Sequence, residues 1–122
     1  MTNVVWYKTN DLQNPWINLL SLDLGSDYFS NLEGVYVIWK HSNEYPNTVR
    51  VGQGIIRDRL QEHKDNSEIT QKAINNRLLV TWASVGSGNI RNGIEKYLAD
   101  SLNPIVGERF PDIVSEVVNL PA

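Results

Sequence analysis

The sequence predicts a small α/β (α+β) domain, a three-stranded, mainly antiparallel sheet flanked by helices in the order β-β-α-α-β-α. Three observations predict it. Gly34 to Lys40 (GVYVIWK) is rich in β-branched and aromatic residues, as a strand is. From Ile55 onward the apolar spacing lengthens to that of a helix. Leu78 to Val85 (LLVTWASV) is an almost unbroken apolar run of strand length, which suits a central, covered position.

The first 33 residues scatter Trp6, Trp16, Ile17, Leu19, Leu20, Leu22 and Leu24 with weak periodicity. They read as a cover packed on the core, with a short helix from Ser26 or Asp27 to about Leu32. After the strand at Gly34–Lys40, the polar stretch His41 to Asn47 contains Pro46 and forms a loop. Thr48 to Gly52 is the second strand of a hairpin. Alternation places Tyr36 with Ile38 on one face, and Thr48 with Arg50 on one face. A turn centred near Glu44 sets Ile38 opposite Arg50, with Tyr36 diagonal to it.

In the following helix Ile56, Leu60 and His63 or Lys64 recur at three- and four-residue steps, and Arg59 and His63 lie one turn apart. Asp65 and Glu68 form a capping box for a further helix from Glu68 to Asn76. Beyond the third strand, Ser87 or Asn89 caps a helix running to about Leu102, with Ile90, Ile94, Tyr97, Leu98 and Leu102 as its buried stripe. Gly93 inside it costs on the order of 1 kcal/mol relative to Ala, so close backbone packing is expected there. Pro104 stops the helix, and Val117 to Pro121 is an extended segment.

A chain of 122 residues with 41% hydrophobic side chains forms one domain with a real core. Its divisions are a cover (1–33), a motif-bearing core (34–104) and a tail (105–122). No apolar run approaches the roughly 20 residues that span a bilayer, and the N-terminus lacks the basic start and apolar stretch of a secretory signal. The absence of Cys excludes disulfides, thiolate metal sites and a Cys nucleophile. An intracellular, cytoplasmic protein is expected. The net charge of −3 argues against non-specific coating of nucleic acid. Between Gly34 and Leu98, however, nine Lys and Arg face six Asp and Glu, against two and eight elsewhere. The centre either meets a phosphate backbone or is a solvated mixed-charge surface.

Four motifs stand in order: Gly34-Val-Tyr36, Val51-Gly52-Gln53-Gly54, Arg59 followed four residues later by His63, and Gly93-Ile-Glu-Lys-Tyr-Leu98 followed by Leu102-Asn-Pro104. Over roughly Gly34 to Pro104 the chain resembles the GIY-YIG nuclease family. The resemblance implies a metal-dependent endonuclease acting on DNA, with Glu95 as the lone protein ligand of one Mg²⁺ or Mn²⁺. It also implies that Arg59 steadies the phosphate and that Tyr36 orients or deprotonates the attacking water. Arg50, Gln53 and Asn119 are the expected substrate contacts.

The chemistry is reasonable residue by residue. A single carboxylate with waters can hold Mg²⁺ and leave room for a phosphate oxygen; the alternative for Glu95 is a surface pair with Arg91. Arg59 offers planar, permanent donors, or pairs with Glu62 or Asp58. His63 can donate to the phosphate or leaving oxygen, or carry a proton. A phenol is a poor base at neutral pH unless cations depress its pKa. The departure is Arg50, which stands where the family has its second tyrosine and cannot serve as a base. Either Tyr36 handles the water with help from Arg50, or the domain is a nuclease-derived module that binds nucleic acid or a protein partner without cutting. An unrelated α/β interaction domain is a third reading. With no second DNA-binding domain, a homodimer or partner protein is also expected.

Overall fold

The computed structural model describes residues 1–42, 47–107 and 112–121, and it is α+β. Four strands, β1 (Ile17–Asn18), β2 (Glu33–Lys40), β3 (Thr48–Ile55) and β4 (Leu78–Ser84), form one antiparallel sheet in the order β1-β4-β2-β3. The helices are α1 (Ile56–Lys64), α2 (Ser67–Thr70) and α3 (Gly88–Leu102). The expected three strands are present with a fourth, because the N-terminal cover contributes β1 against Leu79 and Val80. Two residues are too short to show alternation, so β1 left no periodic trace in the sequence.

The hairpin register is the one a turn near Glu44 implies: Ile38 pairs with Arg50 and Tyr36 with Gly52. The pairing slips between Ile38 and Trp39, so Trp39 meets Thr48, and Thr48 and Arg50 lie on opposite faces rather than on the one face that alternation predicted. The turn expected near Glu44 lies outside the described residues. β4 is buried from Leu78 to Ala83, between β2 and β1. β3 is an edge strand, and its start is covered by the chain after α3, where Ile105 and Val106 donate to the carbonyls of Thr48 and Val49 at 3.1 and 2.9 Å. That pairing satisfies backbone groups that a bare edge would expose.

The sheet carries a core on each face. On one side Tyr36, Ile38, Val80 and Trp82 meet Ile56 and Leu60 of α1, Ile69 of α2, and Leu19 and Phe29 of the cover. On the other Val35, Val37, Val51 and Ala83 meet Ile94 and Leu98 of α3 together with Trp6 and Val118. Each fully buried aliphatic side chain of this kind contributes roughly 1.5–3 kcal/mol. The α3 stripe is Ile94 and Leu98, with Tyr97 and Leu102 partly buried; Ile90, expected in it, is 40% exposed because it lies in the first turn, beyond the sheet.

Helix boundaries follow local chemistry. α1 has no side-chain cap, but its first amide, at Ile56, donates to the Leu32 carbonyl at 3.0 Å. Arg57 and Lys64 tie the cover down by donating to the carbonyls of Leu24, Ser26 and Leu22. α2 ends at Thr70 rather than Asn76, since Asn75 and Asn76 take positive φ and Ile74 bridges back to Arg77. Its cap is Asn66, not Asp65, with the side chain accepting from the Glu68 amide at 2.9 Å. Ser87 caps α3, and Asn103 closes it in the left-handed conformation before Pro104. The helix expected from Ser26 or Asp27 to Leu32 is a single 3-10 turn, Asp27–Phe29. At Gly93 the expected close approach is present: the Glu116 amide donates to the Gly93 carbonyl at 3.0 Å. Among the described residues no helix is long and apolar enough to cross a membrane.

Candidate active site at the sheet edge

Five of the seven singled-out side chains interact around β3. Tyr36 comes from the neighbouring strand β2, Arg50 from β3 itself, Arg59 and His63 from α1 on one face, and Glu95 from α3 on the other. Because β3 is the edge strand, helices on opposite faces can reach the same place around it.

At the centre the Tyr36 hydroxyl lies 2.5 Å from Nε2 of His63, with both residues buried. His63 continues the buried stripe of Ile56 and Leu60. Its place there is chemically satisfied because the phenol supplies a hydrogen-bond partner. The room for that phenol comes from Gly52, the direct cross-strand partner of Tyr36: a Cβ at Gly52 would collide with the hydroxyl and ring. A second glycine shapes the rim. Gly107, with φ +126, comes so close that a Cβ would stand 2.6 Å from a terminal nitrogen of Arg50. Gly107 follows the Ile105–Val106 pairing with β3, and this contact was invisible in the sequence.

Electrostatics divides the cluster. Burial pushes the Tyr36 phenol above its ordinary pKa, a larger effect than the downward pull of Arg59 and Arg50. The two guanidiniums alone therefore do not bring the phenol down to its ordinary pKa. Burial, reinforced by Arg50 and Arg59, lowers His63 from 6.5 to about 4, so the imidazole is neutral at pH 7. A proton-donating role for His63 in the resting state is thereby disfavoured, whereas a neutral Nε2 can accept from the phenol. Burial raises Glu95, against the opposing pull of Arg50 and Arg59. Burial works against the charge of Arg59, but Tyr36, Glu62 and Glu95 outweigh it and hold its pKa above the ordinary value.

Arg59 also pairs with Glu62 at 3.1 Å, but the two side chains are 34% and 58% exposed, so the pair contributes little. The Nε atoms of Arg50 and Arg59 are both buried with no hydrogen-bond partner among the described residues. Buried guanidinium nitrogens without acceptors are costly, and an anion is the group that would satisfy them. Arg91, the alternative partner of Glu95, binds Gln53 at 3.0 Å, Glu33 at 3.1 Å and the carbonyls of Val85 and Gly86.

Gln53 thus holds Arg91 at the start of α3. Asn119 clamps the N-terminal segment: its amide accepts from the Val4 amide at 2.8 Å and donates to the Val4 carbonyl at 2.9 Å. Among the described residues no three His, Asp or Glu side chains come together as a metal cluster. Glu95 interacts electrostatically with Tyr36 and with both arginines.

The shift of His63 has a measurable consequence. A folded pKa below the unfolded one means stability that is fully present above pH 6.5 and is lost as pH falls toward 4. Equilibrium denaturation across that window should show a loss approaching about 3 kcal/mol from this group, partly opposed by Glu95, which gains a proton more readily when folded. His63→Gln should flatten the slope. An unchanged slope would remove His63 as its source.

Compared with protein-family models, curated proteins and solved structures, the chain matches none of them.

Proposed function

We propose that this chain is a metal-dependent endonuclease that hydrolyses phosphodiester bonds in DNA, of the GIY-YIG type. The observation that carries the reading is the pair of buried Nε atoms on Arg50 and Arg59, unpartnered among the described residues, beside the Tyr36–His63 hydrogen bond. Two guanidiniums with spare donors suit a phosphodiester whose charge grows during attack.

In this reading Glu95 would hold one divalent ion, Mg²⁺ or Mn²⁺. A half-buried carboxylate that burial disfavours as an anion is suited to a neighbouring cation. The ion would supply charge stabilisation at a phosphoryl oxygen. Tyr36 orients the attacking water, its own hydroxyl proton turned to Nε2 of His63. The neutral imidazole thus keeps a lone pair of the buried phenol free to accept from the water. Arg59 and Arg50 hold the phosphate, and Gly52 keeps the phenol in place.

Cleavage of a panel of plasmid, branched and single-stranded DNA with Mg²⁺ or Mn²⁺ tests the proposal, with Glu95→Ala as the comparison. Metal-dependent nicking that disappears in the variant is expected. An inert wild-type protein would overturn it.

The competing reading is a nuclease-derived module that binds nucleic acid or a protein partner without cutting. Arg50 in place of a tyrosine and the raised pKa of Tyr36 favour it. Arg50→Tyr separates the two. In an active enzyme it removes one phosphate donor, and cleavage should fall by at least tenfold. In a binding module there is no cleavage to lose, and restoration of activity would show that Arg50 had silenced the site.

A further inference from the structure

Away from the catalytic cluster, Trp16 and Trp39 meet edge to face with ring centroids 5.2 Å apart. Both are half-buried, unlike Trp6 and Trp82 at 7% and 2% exposure. Two hollows of about 240 and 520 Å³ share Trp16, Trp39 and Asn47 in their walls. Among the described residues no acidic side chain lines either one, while Lys40 and His41 stand at the larger. Lys8 places its ammonium 5.3 Å from the centre of the Trp16 ring. The chain as a whole is acidic, so an aromatic groove with a basic rim is a local exception.

The groove also borders the site. Thr48 lines the smaller hollow and lies two residues before Arg50 on β3. At about 3.4 Å per residue the two positions are roughly 7 Å apart along the strand. The bulge sets Thr48 beside Trp39 on the α3 face and Arg50 beside Ile38 on the α1 face, so the groove neighbours the site along β3 but opens on the other side of the sheet. Aromatic faces with adjacent cations are how proteins hold unpaired bases without reading their sequence. A proline-rich peptide also docks on aromatic grooves, but it gains nothing from the Lys8–Lys40–His41 rim.

We infer that the Trp16–Trp39 groove binds an unpaired nucleobase of a nucleic-acid strand, giving preference for single-stranded or frayed substrates. The inference rests on the nuclease reading for the identity of that strand. The groove takes the base by stacking, and the lysines take the flanking phosphates.

The test uses the wild-type protein in EDTA, so that nothing is cut. It is titrated with an oligothymidylate of about eight nucleotides, an oligouridylate, an abasic oligomer of the same length, and an uncharged proline-rich peptide. Oligothymidylate should quench tryptophan fluorescence, and Trp39→Ala and Trp16→Ala should weaken its binding roughly ten- to hundredfold. Trp39→Phe, which keeps an aromatic face, should retain most of the affinity; melting curves establish that each variant is folded. Oligouridylate should behave like oligothymidylate, since stacking does not depend on the sugar. The inference is overturned if the abasic oligomer binds equally well, if both Ala variants bind like wild type, or if only the peptide quenches. A protein that binds oligothymidylate through the tryptophans yet never cuts DNA with metal would retain the groove and lose the nuclease. One that cuts duplex and single strands alike, unaffected by Trp39→Ala, would do the reverse.

Discussion

Glu95→Gln should abolish cleavage while raising the melting temperature. The amide is nearly isosteric, so α3 and its contacts with the sheet remain. What disappears is the anionic ligand for the metal, and with it the several kcal/mol of transition-state stabilisation that such an ion supplies, roughly 10³-fold in rate or more. The stability change has the opposite sign. Burial holds the Glu95 pKa above its ordinary value despite two nearby guanidiniums. Its ionised form is therefore disfavoured on folding. That penalty is absent below the unfolded pKa and present once pH exceeds the folded one. Gln carries no charge at any pH, so the gain in melting temperature should be present at pH 7 and vanish in acid. Paired melts and single-turnover cleavage at both pH values check this. A variant both inactive and less stable would mean that Glu95 is a structural residue.

Tyr36→Phe should lower cleavage by about 10² to 10⁴, the usual effect of losing a group placed on the reacting proton. It should also cost roughly 1–3 kcal/mol, because Nε2 of His63 is left buried without its partner. Gly52→Ala reaches the same atoms by another route. It keeps the hydroxyl but drives a methyl group into the place the phenol occupies, with an overpacking cost of about 1–3 kcal/mol. If Tyr36 acts on the water, the displaced hydroxyl should be nearly as damaging as the missing one. Pre-steady-state kinetics and chemical denaturation of the two variants distinguish the cases: Gly52→Ala with wild-type cleavage would dissociate the hydroxyl position from the chemistry.

Features governed by local spacing were legible in advance. Arg59 and His63 lie on neighbouring turns of one helix, and a four-residue step already implies that. The pairing of Ile38 with Arg50 followed from a turn centred near Glu44, whereas the bulge beyond it, which separates Thr48 from Arg50, left no trace in the alternation. Ser87 at the head of α3 and Pro104 beyond its end marked that helix correctly. What was not legible depends on contacts between distant segments. β1 exists because Ile17 and Asn18 find Val80 and Leu79, not because of any pattern of their own. The second helix ended at Thr70, and Asn75 and Asn76 beyond it take positive φ, a local choice that excludes a helix reaching Asn76. Gly107 matters only because Arg50 lies against it. Asn119 is an ordinary tail residue in sequence, and its clamp on Val4 spans 115 positions.

That clamp also sets the order in which the chain can finish folding. Val4 and Trp6 take hydrogen bonds from or give them to Asn119, and Thr2 bridges Val118. A ribosome delivers Val4 well before its partner Asn119, 115 positions further on. Until then Trp6 has no Val118 to pack against and the α3 face of the sheet is only partly covered. Contacts so far apart in sequence close late, since the entropy of a long loop must be met before they return anything. Two-stage refolding kinetics would be their signature, with the hairpin and α1 docked early and the terminal strap arriving in a slower step.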